Sequence, residues 1–177
     1  MNEYADLVVE KLNPHFLNNC INNIYALIMT ERNAEAMEYL HDFSRCLNGV
    51  IAGFRDASYI AMDKEIQCVK SYIDLQKLRY NDALNVNWNV GRTDFEIIPM
   101  TLYFIVDYFT EKGISNSHNG GTLDIWVDVT DGHKKIIVTL DANIDMKPDN
   151  IILNMAENIG KNGGKLTFAF TRIEVIF

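Results

Sequence analysis

Cysteine is scarce in this chain of 177 residues: Cys20, Cys46 and Cys68 are scattered, and no two stand in a CxxC pair. An odd, dispersed set argues against a disulfide framework or a zinc site and fits reduced thiols in a cytoplasmic protein. Basic residues are outnumbered too. Sixteen Lys and Arg face 24 Asp and Glu, the net charge is −8, and the longest basic run is Lys134-Lys135. Neutralising a phosphate backbone takes clustered Lys and Arg, so no nucleic-acid partner is expected. No apolar run reaches the roughly 18 residues that cross a bilayer, and the N-terminus lacks a signal-peptide pattern. The chain therefore reads as soluble, with no membrane segment. Internal repeats and low-complexity segments are absent.

What is present is a large apolar content, 48% of residues, enough to bury a sizeable core. Residues 3–31 read as one helix with a kink at Pro14, because an internal proline removes a backbone donor and clashes with the preceding turn. On that helix Lys11, His15, Asn18, Asn19 and Asn22 share a polar stripe, while Val9, Leu12, Phe16, Cys20, Ile24, Leu27 and Ile28 lie opposite. A wet imidazole at His15 can carry a phosphoryl group or a proton; an ordinary surface histidine fits the same spacing. A second helix over 34–53 places Met37, Leu40, Phe43, Leu47, Val50 and Phe54 at three- and four-residue steps. Two such helices form an antiparallel hairpin with one apolar side left wet. A second copy would cover it as a four-helix bundle, so a homodimer is expected.

A linker carrying Arg55, Asp56 and Ser58 leads to a third helix over 63–80, with Ile66, Val69, Ile73 and Leu78 facing inward. The pattern then alternates. Strands are expected at 84–90, 123–129 and 136–140, a turn at 130–133, and helices at 99–112, stopped by Gly113, and at 148–160. Residues 165–177 read as one long strand or a tight hairpin. The fold class is α+β: a helical hairpin over 1–58, then a two-layer α/β sandwich over 59–177.

Two segments carry a resemblance to a known family. Asn13-Pro14-His15-Phe16-Leu17-Asn18-Asn19 is close to the box Asn-Pro-His-Phe-Leu-Phe-Asn, departing at Asn18. Met62-Asp63-Lys64-Glu65-Ile66, continued by Tyr72-Ile73-Asp74-Leu75-Gln76-Lys77-Leu78-Arg79-Tyr80, is similar to Leu-x-x-Glu-Leu … Tyr-Leu-x-Ile-x-x-x-Arg-Phe. Ser44-Arg45 also fits. Together these resemble sensor histidine kinases of the autolysin-regulator class, over residues 11–82. The resemblance implies a dimeric phosphoacceptor hairpin, with His15 as phosphoacceptor, followed by an ATPase domain of the gyrase/heat-shock/kinase type.

The second half resembles that domain in layout and departs from it in chemistry. The family's helix Pro-x-x-x-Gln-x-x-x-Glu-Asn-x-x-x-His-Gly matches residues 99–113. Asp107 falls at its Glu, and Tyr108 falls at the Asn implied to hold magnesium. A phenol is a poor ligand for a metal that demands compact oxygen donors. The family's Asp-x-Gly-x-Gly is met by Asp141-Ala142-Asn143-Ile144-Asp145, which keeps the aspartate implied to contact adenine and loses both glycines. The lid and its glycine turn shrink to Met146-Lys147-Pro148, and Gly160, Gly163 and Gly164 come after the last helix, where they read as its stop. The residues Asp107, Tyr108 and Asp141 are thus read as vestigial nucleotide-binding positions.

The expectation is a histidine phosphotransferase or pseudokinase module of two-component signalling. Its partners would be a response-regulator receiver domain, which supplies magnesium, and a partner kinase able to phosphorylate His15 in trans. Lys11, Asn18, Asn19 and Asn22 would flank the phosphoryl group. No metal site is expected, and no cofactor unless Mg-ATP still binds. The alternatives are the catalytic fragment of an active ATP-dependent sensor kinase and a non-catalytic scaffold. Location is expected to be cytoplasmic, free or as the cytoplasmic part of a membrane sensor. His41, His118 and His133 read as surface residues, Asp107 and Glu111 as a solvated helix face, Trp88 and Trp126 as sheet packing, and Glu65 and Arg79 as links between hairpin and second domain.

Overall fold

The computed structural model describes residues 14–55, 59–142 and 144–177. Helix α1 runs Pro14–Met29 and α2 Asn33–Arg55. The turn between them is closed by Arg32 N–H on the Leu27 carbonyl and Glu31 N–H on the Ile28 carbonyl, with Glu31 at φ 59°. That is the Schellman pattern with a non-glycine residue in the left-handed position. The expected helix over residues 3–13, the bend before His15 and most of the linker lie outside the described residues.

Helix α1 largely buries the face its spacing suggests, whereas the buried face of α2 is shifted from the expected one. Phe16, Cys20 and Leu27 go inward as expected, but Ile28 is exposed. On α2 the buried residues are Ala36, Tyr39, Cys46 and Val50, while Met37 is 73% exposed and Leu40 is also exposed. Two apolar stripes run along α2, and the inner one is made of smaller and more polar side chains. These let the next helix approach closely.

That helix, α3 (Met62–Tyr80), is buried around most of its circumference, from Glu65 through Cys68, Tyr72 and Leu75 to Gln76. It lies against α2 on one side and α4 (Thr101–Tyr108) on the other. Leu78, expected inside, is at its exposed end. The helix α4 does not stop at Gly113. It passes through a wider turn over Phe109–Gly113 into a tighter one over Ile114–Asn116. Gly113 has a negative φ, and a Cβ there would sit 2.2 Å from Leu140 Cδ2, so a larger residue would have to displace that side chain of the sheet.

The sheet has five strands in the order β2-β4-β5-β7-β6: Leu84–Val90, Gly121–Thr130, His133–Asp141, Arg172–Ile176 and Lys165–Ala169. Only the β2–β4 pair is parallel. Ile125, Val138 and Ile173 lie in one register row and are fully buried beneath the helices. A two-stranded ribbon of β1 (Ile60–Ala61) and β3 (Glu96–Ile97) escapes sequence reading because two residues cannot show an alternation. Residues 165–177 are a hairpin turned at Phe170, whose φ is 51°. Helix α5 spans Asn150–Lys161. Gly160 therefore lies inside its last turn, and Gly163, at φ 81°, makes the turn that follows. The layers are those of an α+β fold, helices on one face of a mixed sheet.

Candidate functional site

Lys11 lies outside the described residues. His15 follows Pro14 at the beginning of the described part of α1. Its imidazole also lies outside them. Asn18 and Asn22 are exposed, and Asn19 is half-buried and engaged. Phe16, the next residue after His15, is buried with its ring 5.5 Å from that of Tyr72 on α3.

Tyr72 begins a network that sequence reading missed. Its hydroxyl donates to Asp107 Oδ1 at 2.8 Å and accepts from Gln76 Nε2 at 2.8 Å. Gln76 also donates to Glu111 Oε1 at 3.3 Å, and Arg79 forms an ion pair with the same carboxylate. Asp107 and Glu111 are therefore the acceptor row of a helix–helix contact and not a solvated face. The signal was available: Tyr72, Gln76 and Arg79 recur at three- and four-residue steps, as do Asp107 and Glu111. Burial first, then the Asp107 charge, pushes the Tyr72 phenol well above its ordinary range, so it stays a donor.

Glu65 and Arg79 tie α3 to the segment of α4 and its continuation, not to the hairpin. Glu65, 2% exposed, accepts the backbone N–H of Met100 at 3.0 Å and of Tyr103 at 3.2 Å, capping α4 at a point where Met100 has φ 66°. Burial raises its carboxyl to about 7, against the lowering effect of those N–H groups.

A cavity of about 410 Å³ is bounded by Tyr108, Lys112, Asn116, Asp145, Lys147 and Asp149 among others. Tyr108 is buried; its hydroxyl donates to the Lys147 carbonyl at 2.7 Å and its ring packs edge-on to Phe168 and Phe109. Burial pushes this phenol up to about 12, so no phenolate forms near neutrality. Asp149 was also missed, although an aspartate before Asn150-Ile151-Ile152 is a recognisable helix start. Its Oδ1 accepts Ile151 N–H at 3.0 Å and Ile152 N–H at 3.1 Å. The donors that could meet a phosphate are held by a carboxylate. Asp141 is exposed at the end of β5, opposite Thr122, and is not part of the cavity lining. These residues do not fit Mg-ATP: the phenol of Tyr108, at the position the resemblance implies for a magnesium ligand, is committed to the Lys147 carbonyl, and the N-terminus of α5 holds a negative charge. No three His, Cys, Asp or Glu side chains converge among the described residues.

The histidine kinase family profile matches residues 5–84, a span that contains both motif segments. Sensor protein LytS of Staphylococcus saprophyticus is 32% identical over 108 residues, covering 60% of this chain and 18% of that protein. Sensor histidine kinase/phosphatase LytS of Staphylococcus aureus is 30% identical over 131 residues, covering 72% of this chain and 22% of that protein. This chain thus spans about a fifth of the length of these curated relatives. Among solved structures, the histidine kinase domain of the Erythrobacter litoralis blue-light activated kinase aligns with a TM-score of 0.55 at 11% identity, over 92% of each chain. Acinetobacter baumannii AdeS aligns with a TM-score of 0.51 at 9% identity, over 94% of each chain. Those two share its fold. No described helix is long and apolar enough to cross a membrane. By its motifs, its matched span and its fold, the chain belongs to the sensor histidine kinases of the LytS class.

Proposed function

We propose that this chain is a histidine phosphotransfer module of two-component signalling that does not phosphorylate itself from ATP. His15 exchanges a phosphoryl group with an aspartate of a response-regulator receiver domain, which brings the magnesium. Asn18, Asn19, Asn22 and Lys11 border the transferred group. Residues 1–58 act as the dimerisation and phosphoacceptor hairpin, and 59–177 as a degenerate ATPase domain that supports it. The observation that carries this reading is the Asp149 carboxylate on the N-terminus of α5, beside a buried Tyr108. A polyphosphate would have to displace a bonded carboxylate of its own sign.

The dimer proposal rests on the outer stripe of the hairpin, where Ile21, Tyr25, Ile28, Met37, Leu40 and Ile51 are all exposed. A contiguous apolar strip on two adjacent helices is covered by a second copy more economically than by water. One observation favours residual nucleotide binding, the pair Lys112 and Lys147 on the cavity. Titration calorimetry with ATP and magnesium separates the two: silence is expected, and micromolar affinity would return the chain to the active kinases.

A further inference from the structure

We propose that Cys46 of α2 and Cys68 of α3 are a redox couple whose disulfide locks the hairpin onto the following domain. The inference does not rest on the phosphotransfer reading. The two cysteines already touch. Cys46 is fully buried and Cys68 nearly so, and the Cys68 thiol donates to the Cys46 carbonyl at 3.8 Å. Gly49, one turn after Cys46, accounts for the closeness. A Cβ at that position would lie 2.7 Å from Cys68 Sγ and 2.9 Å from its Cβ. Any larger residue would hold the helices apart at the turn that carries both thiols. A disulfide needs its Cβ atoms about 3.5–4.5 Å apart, so the two helices must hold this separation when the bond forms.

Access is unequal. A cavity of about 370 Å³ opens between the helices, lined by Arg45, Asn48, Gly49, Lys64 and Gln67 among others, and Cys68 is on its wall. Cys46 is not. A small oxidant such as hydrogen peroxide can reach Cys68 first, leaving Cys46 behind it as the resolving thiol. Contact with Cys68 and burial push the Cys46 thiol up, which keeps it protonated until then.

The chemistry balances in two steps. The Cys68 thiolate attacks one peroxide oxygen, the O–O bond breaks, and the departing hydroxide is protonated to water, leaving a sulfenic acid. The Cys46 sulfur then attacks the Cys68 sulfur, the S–O bond breaks, and the hydroxyl leaves as water with the Cys46 proton. Two thiols lose two electrons, and one peroxide becomes two waters. Cys20 takes no part. It is buried on α1, away from the cavity wall that Cys68 lines. Residues 46 and 68 flank the junction of the two halves, so the bond would staple α2 to α3.

The test is peroxide treatment of the full chain, alkylation of remaining thiols, and non-reducing peptide mass spectrometry. The expected product is a Cys46–Cys68 linked peptide, reversed by dithiothreitol, with a raised melting temperature while oxidised. Cys20→Ser should form the link as well as wild type, and Cys46→Ser should stop at a Cys68 sulfenic acid that dimedone traps. A wild-type chain whose thiols stay free until it unfolds would overturn the proposal. So would Cys68 sulfinic acid with Cys46 still a thiol, or a link through Cys20.

Discussion

The hydroxyl of Tyr72 donates to Asp107 across 2.8 Å, and the same ring packs against Phe16, the neighbour of His15. One side chain thus connects α1, close to His15, to α4. Tyr72→Phe keeps the ring and removes the hydroxyl, leaving Asp107 without this donor and Gln76 without its nearer acceptor. The loss should be about 1–3 kcal/mol in chemical denaturation. A change under about 0.5 kcal/mol would mean that the network carries no stability.

At the N-terminus of α5, Asp149→Ala should lower stability by about 0.5–2 kcal/mol, the usual cost of losing a helix cap. On the proposed reading it should not create ATP affinity, because Tyr108 still fills the position at which the resemblance implies a magnesium ligand. Calorimetric binding by this variant at micromolar ATP would show that the cap alone blocks the site.

Glu65 predicts a pH dependence. Its folded value, about 7, lies above the ordinary 4.5, so the folded chain binds more protons between those values. The contribution is fully present below about pH 4.5 and is lost as pH rises through 7. Relative to Glu65→Gln, wild-type stability should fall by roughly 3 kcal/mol between pH 4.5 and 8. Parallel pH profiles of the two proteins would contradict the burial of an ionisable carboxyl at the α4 cap.

The exposed stripe predicts self-association. Sedimentation at micromolar concentration should give a dimer, and Tyr25→Lys with Met37→Lys should give a folded monomer, since exposed substitutions cost little within one chain, about 0.5 kcal/mol. A monomeric wild type would remove the four-helix bundle.

The family resemblance and several elements were readable because their signals are local. The Asn13–Asn19 segment, the alternation of the central strands and the Asp131-Gly132 turn each signal themselves within a few residues. What stayed hidden was set by partners far along the chain. The outer stripe of α2 is the more hydrophobic one, so periodicity pointed to it. The inner stripe is chosen by α3, which needs Gly49 and Cys46 for close contact. Gly113 looked like a stop, and Leu140 explains it as a packing residue. Phe170 turns the last hairpin without any turn-forming residue, which only its strand pairing reveals.

The most direct measurement is phosphoryl transfer. The chain, incubated without ATP with a panel of phosphorylated receiver domains, should acquire an acid-labile label on His15, and His15→Ala should remain unlabelled. Label that appears only with Mg-ATP and no receiver, or no label on wild type from any receiver, would contradict a module that takes its phosphoryl group from elsewhere.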